Sequence, residues 1–168
     1  MYNNNYWKIR GYVEKNVPPT SYTNVDIGIQ NKSGESVQIK VITGNGTHPE
    51  FSSIWNMALC SRLVLGTGDT AATAEDYALA NDITASLSNV TQSYTCGADD
   101  DSLKVVYSIS FTNSTGSDIV IREVGIETDV ANTSNQKFQI LTARQVLSTP
   151  ITVSAGGGKV ITINAQTK

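Results

Sequence analysis

Few residues in this chain are of types that perform chemistry, and each class can be tested by its spacing. The chain holds one histidine, His48, and two cysteines, Cys60 and Cys96. A structural zinc site needs three or four ligands at short spacings, and no CxxC or histidine pair occurs. A thiolate nucleophile would require His48 beside Cys60 or Cys96. Cys60 falls near an apolar stripe, where burial keeps a thiol neutral. Asp99-Asp-Asp101 offers oxygens to calcium, although an acidic β-turn in water is the commoner reason for such a run. Glu123 and Glu127 share a strand parity, yet nothing around them marks the cleft that carboxylate-pair hydrolysis needs.

Phosphate binding fails on context. Gly66-Thr-Gly68 lacks the GxGxxG continuation and a βαβ setting, and Gly156-Gly-Gly-Lys159 runs into Val160 and a strand where a P-loop needs Ser or Thr and a helix. The expectation is a protein without catalytic residues, cofactor or metal.

Two charges nevertheless sit where charge is costly. Val105, Tyr107, Ile109 and Phe111 alternate with Val106, Ser108, Ser110 and Thr112, the period of a half-buried strand. Asn113 to Asp118 supplies a turn, in which Gly116 is free to take positive φ. Ile119 to Thr128 runs back, and Phe138 to Val146 makes a third strand. Glu123 shares the parity of Ile119 and Ile121; Arg144 shares that of Phe138 and Ile140. A charge on an inward face costs several kcal/mol unless it is paired or hydrogen-bonded. Glu123 and Arg144 are therefore expected to form a structural ion pair across the sheet or at its rim. The alternative is a register shift at a bulge, for instance at Gly125, that carries both charges to water.

The rest of the chain reads as elements that position these strands. Tyr6 to Lys15 alternates Trp7, Ile9 and Val13 with Lys8, Arg10 and Tyr12, and reads as a first strand ended by Asn16 and Pro18-Pro19. Val25, Ile27 and Ile29, the turn Asn31 to Glu35, and Val37, Ile39 and Val41 form a hairpin whose six branched side chains make one wall of a core. Phe51, Ile54, Trp55, Ala58 and Leu59 follow the stripe of one short amphipathic helix, with Thr47 as cap and Pro49 in the first turn. Arg62 to Leu65 is a strand. Ala71 to Asp82 is a small-residue connection with one helical turn around Ala74 to Leu79. Leu87, Val90 and Tyr94 mark weak strand alternation before an acidic turn at Gly97 to Ser102. Ile151, Val153, Gly156 to Gly158 and Val160 to Ile163 read as a last hairpin.

This pattern predicts a mainly β chain: an antiparallel β-sandwich, jelly-roll or Ig-like, of about eight to ten strands with one short helix. Its 168 residues suit a single domain that buries roughly 70% of its unfolded surface. The charged fraction of 16% is low against a typical ~25%, so Thr, Ser and Asn must cover the surface. A net charge of −3 with scattered Lys and Arg gives no footprint for nucleic acid. No apolar run approaches the ~20 residues that span a bilayer, and the residues after Met1 lack the apolar region of a secretory signal. Asn-X-Ser/Thr triplets begin at Asn31, Asn45, Asn89, Asn113 and Asn132, as chance allows in such a composition.

Two segments carry a resemblance. Leu63 to Ile83, LVLGTGDTAATAEDYALANDI, is similar to the segment "GTG, small polar spacer, Asp, then Leu" of small structural proteins of tailed double-stranded DNA bacteriophages. Tyr107 to Arg144 resembles the later part of that family, with Ile121-Arg-Glu-Val-Gly-Ile126 and Leu141-Thr-Ala-Arg144 in the same order. Pro150 to Gly156 and Val160 to Ile163 also fit. Ala71 and Ala72 depart from the proline that often follows the GTG. The resemblance spans roughly residues 63–163 and leaves the first sixty unmatched.

It implies an assembly subunit of a virion, in the tail, collar or fibre-attachment region, assembled in the host cytoplasm beside copies of itself and other virion proteins. Residues 1–60 are then a candidate docking part and 61–168 the family-like part. Tyr2, Tyr6, Trp7 and Tyr12 are the interface candidates, and edge strands can pair with neighbours. Two other readings stand beside it. One is a capsid-decorating or head-fibre protein. The other is a carbohydrate-binding β-sandwich using Tyr12, Tyr22 and Tyr94.

Overall fold

The structure, a computed structural model, describes residues 2–15, 23–41, 61–99, 102–131, 134 and 136–167. Among them the chain is mainly β, with one α-helix, α1 (Asn4–Lys15), and a single 3-10 turn at Thr84–Ser86. The strands are β1 (Thr23–Gln30), β2 (Ser36–Val41), β3 (Ser61–Gly66), β4 (Ser88–Asp99), β5 (Ser102–Thr112), β6 (Ile119–Ala131), β7 (Lys137–Val153) and β8 (Gly158–Thr167). They form a β1-β2 ribbon and two three-stranded sheets, β3-β6-β7 and β4-β5-β8, and no sheet closes into a barrel among the described residues.

The chain divides into two compact units that interleave along the sequence. The first collects Met1–Ser61, Ala71–Leu79 and Gly125–Gln145; the second collects Arg62–Thr70, Ala80–Val124 and Val146–Lys168.

In the first unit the expected opening strand at Tyr6 to Lys15 is helix instead. Asn3 is the reason. Its side-chain oxygen accepts the N–H of Tyr6 at 3.3 Å and its carbonyl accepts that of Trp7, which makes it an N-cap. Asn5 and Ile9, one turn apart, are the buried pair of this helix's first half. The apparent alternation in this stretch is too short to separate the two periods, and the cap decides between them. β1 and β2 form the expected hairpin: they are antiparallel, with Ile29 opposite Val37 and both buried. Its register shifts between Val25 and Ile29, where Gly28 takes φ +68°, a β-bulge that a side chain would resist. The amphipathic helix expected at Phe51 to Leu59, with His48 and Cys60 around it, lies outside the described residues.

In the second unit β5 follows its expected alternation. Val105, Tyr107, Ile109 and Phe111 are buried and Val106, Ser108, Ser110 and Thr112 are half-exposed. Each such buried side chain contributes on the order of 1.5–3 kcal/mol. β5 pairs with β4 on one side and β8 on the other, both antiparallel. The expected last hairpin is therefore not one: β8 leaves the sheet of β7 and pairs with β5 along its whole length. The Gly156 turn, at φ +72°, carries the chain between sheets. Local alternation names strands without naming their partners. The connection at Ala71 to Asp82 makes turns and no helix around Ala74 to Leu79. Of the apolar residues that marked weak alternation here, Leu87 is buried, while Val90 and Tyr94 are exposed on the edge strand β4.

Candidate functional site

Glu123 is wholly buried, at 0% exposure, and Arg144 is 3% exposed, so neither charge reaches water through a register slip. Each is surrounded differently in its own unit.

In the second unit the Glu123 carboxylate is met by backbone. Its Oε1 accepts the N–H groups of Asn81 at 2.8 Å and Gly68 at 3.1 Å, and its Oε2 accepts that of Ala80 at 3.1 Å. Carboxylates holding several such N–H groups are well satisfied even in the interior. The approach demands glycine. A Cβ on Gly68 would stand 2.6 Å from Glu123 Oε1, and one on Gly66 would stand 2.6 Å from Glu123 Cγ. Asn81 then ties its own loop down, donating its side-chain amide to Thr67 Oγ1 at 2.5 Å and accepting the Thr67 N–H with its carbonyl at 3.0 Å. Gly68 of the GTG motif, with Ala80 and Asn81, thus turns its N–H toward an internal carboxylate. At Gly156 to Lys159 the first two N–H groups go to Asn113 and Ser154 carbonyls.

In the first unit Arg144 Nη1 meets Asp76 Oδ2 at 2.7 Å. Burial pushes the Asp76 carboxyl up. The Thr73 N–H, the Arg144 guanidinium and the Thr73 hydroxyl more than offset this, holding its pKa below the ordinary value of 3.8. Glu127, buried on β6, pairs with Lys32 Nζ at 2.7 Å. Lys32 borders an open polar depression of about 360 Å³ lined also by Asn31, Asp129 and Lys137. Among the described residues no group of three or more His, Cys, Asp or Glu side chains could hold a metal ion.

Side-chain amides provide the remaining polar framework, which the sequence reading missed. Asn5 takes the N–H and C=O of Gln30 at 3.0 and 2.9 Å, as a neighbouring strand would, and also reaches Leu141 O. Asn3 Nδ2 donates to Asp76 O and Leu141 O. In the second unit Gln92 does to Leu63 what Asn5 does to Gln30, at 2.7 and 3.1 Å. Asn113, fully buried, joins its own turn to Val153 and Ser154, so its Asn-X-Thr triplet is closed to glycosylation. A signal for one of these was present: Asn opening a turn commonly bonds its own backbone two residues on, and Asn113 does so with Thr115.

The interface candidates come together in part. Tyr2 and Tyr6 stack with ring centroids 4.0 Å apart, and Trp7 stands edge-on to Tyr6 at 5.1 Å. Trp7 is 50% exposed. Tyr12 lies on α1. Of the tyrosines proposed to stack on glycans, Tyr94 is exposed on β4, while Tyr22 lies outside the described residues. Comparison of the chain with protein-family models, curated proteins and solved structures finds no match.

Proposed function

We propose that this chain is a non-enzymatic structural protein of a tailed-phage virion, an assembly subunit of the tail, collar or fibre-attachment region. The observation that carries this reading is the Glu123 cradle. The two segments bearing the resemblance, Leu63 to Ile83 and Ile121 to Ile126, are joined by it: the glutamate of one holds the GTG loop of the other. A motif pair read separately in the sequence has one physical reason. The reading takes the two three-stranded sheets as the layers of a β-sandwich, and the clamp of Gln92 in β4 on Leu63 in β3 supports it. It places the protein in the virion, with copies of itself and other virion proteins as partners, and takes residues 1–60 as the docking part through Tyr2, Tyr6, Trp7 and Tyr12. A capsid-decorating position fits the same features.

The test is the mass of the purified chain by light scattering, alone and with particles. A ring-sized or fibre-sized oligomer, or sedimentation with particles, is expected; a monomer that ignores particles would sink the reading.

A second reading, a carbohydrate-binding module, is favoured by Trp7, exposed beside the half-buried stacked pair of Tyr2 and Tyr6, since an exposed aromatic ring offers an apolar face to a sugar. A glycan-binding screen with Trp7→Ala as the control separates it from the first.

A further inference from the structure

The two three-stranded sheets end in four edge strands, and an edge is a template for another chain unless something blunts it. β3 is blunted by side chains and loop: Gln92 takes the Leu63 N–H and C=O, Thr84 Oγ1 takes the Leu65 N–H, and the Ile83 N–H takes the Leu65 carbonyl. β7 is covered by the bridge of Tyr2 to Ala143 and the bond from Asn3 N to Thr142 O, and farther along it carries Pro150, which has no N–H to offer. β4 is broken by a register shift between Ser88 and Thr91, with Asn89 at φ +50°. β8 has none of these devices. Its ten residues, Gly158–Thr167, keep unbroken register with β5. They contain no proline, and their one charge is Lys159 at the start. Among the described residues no bond from another element reaches its outer edge.

We infer that the free edge of β8 pairs antiparallel with β8 of a second copy, joining two three-stranded sheets into one of six. This rests on the assembly reading above and names the surface and the partner. A second copy is the occupant because an antiparallel edge is self-complementary about a two-fold axis, and because the charges permit it. A two-fold at Thr162 or Ile163 sets Lys159 opposite Ala165 or Thr167 of the partner subunit, never opposite a lysine. On the exposed face beside the edge, the rows from Val160 to Asn164 carry no charge, and Lys104 follows one row on, between Gly97 and Gln166. The uncharged rows run Thr91, Ser110, Val160; Ser93, Ser108, Thr162; and Thr95, Val106, Asn164. Val160, at 61% the most exposed large apolar side chain in those rows, gains cover from the added strand.

The experiment is light scattering across a concentration series on the full chain, with Thr162→Lys on β8 and Ser93→Lys in the same row on β4. The unsubstituted chain is expected to form dimers or larger even-numbered assemblies. Thr162→Lys, which brings two like charges beside the axis, should weaken the pairing about 100-fold or more with an unchanged circular dichroism spectrum. Ser93→Lys should leave it intact. If Thr162→Lys misfolds, Asn164→Lys, exposed on the same strand, takes its place. Self-association that survives the β8 lysines, or that only Ser93→Lys removes, overturns the β8 pairing and leaves the assembly reading standing. A monomer that sediments with particles until Thr162 is replaced would show β8 taking a strand from a different protein, which overturns the second copy as occupant. A monomer that ignores particles overturns both.

Discussion

The contacts seen around buried charges in the two units differ in kind. In the first, buried ionic groups meet ionic partners: Arg144 with Asp76 and Glu127 with Lys32. In the second, the Glu123 carboxylate is met by the backbone N–H groups of Gly68, Ala80 and Asn81. A charged side chain can find a charged partner from many backbone arrangements, because long side chains reach. Backbone donors converge on one carboxylate only if the loop is folded one way, and glycines must leave room. The ion pairs therefore constrain residue types loosely, whereas the cradle fixes Gly66 and Gly68 and the path of a loop.

The largest effect that would break this contrast comes from Glu123→Ala. It takes the charged acceptor from the N–H groups of Gly68, Ala80 and Asn81 and empties the buried place of the carboxylate, and should cost about 3–5 kcal/mol in urea unfolding, with Glu123→Gln recovering part of the loss. An unfolding midpoint that barely moves would show the loop does not depend on the carboxylate. Arg144→Ala comes next, at about 2–3 kcal/mol, because Asp76 keeps some contact with water. The double variant sharpens the comparison: a Glu123–Arg144 pair requires the two losses to differ from their sum by at least ~0.5 kcal/mol, and simple addition disposes of it.

Gly68→Ala should cost about 1–3 kcal/mol through crowding. Gly116→Ala, where a Cβ meets nothing within 4 Å but φ is +79°, should cost about 1–2 kcal/mol from conformation alone. Equal losses with equal melting behaviour after Glu123→Ala would show that the cradle does not crowd Gly68. The smallest effect is that of pH. Asp76 has a lowered folded pKa, so its contribution is fully present above the ordinary value near 3.8 and is lost as pH falls through the folded value. Asp76→Asn should flatten that part of the acid limb, and an unchanged acid profile would show that Arg144 does not depend on the carboxylate.

Much of the strand pattern was legible because a half-buried strand must alternate. Val105 to Phe111 and the existence of the β1-β2 hairpin needed nothing beyond side-chain period and a turn, whereas the bulge at Gly28 did not show in the alternation. The inward position of Glu123 and Arg144 followed from the same parity. Tyr6 to Lys15 was misread because a short stretch can satisfy both periods, and the deciding bond comes from Asn3, outside the stretch. The contact of Arg144 with Asp76 was not legible because Asp76 stands 68 residues away in a loop with no period at all.

By itself, then, the sequence determined which residues turn inward on the strands, where the turns fall, and that two charges would need partners inside. Each of these follows from local geometry and the cost of burying an unpaired charge. Only the tertiary structure decided who the partners are: β8 with β5 instead of β7, Arg144 with Asp76, Glu123 with the GTG loop. Strand pairing and convergent hydrogen bonds join residues distant along the chain, and an alternating pattern carries no record of which distant edge or loop it will meet.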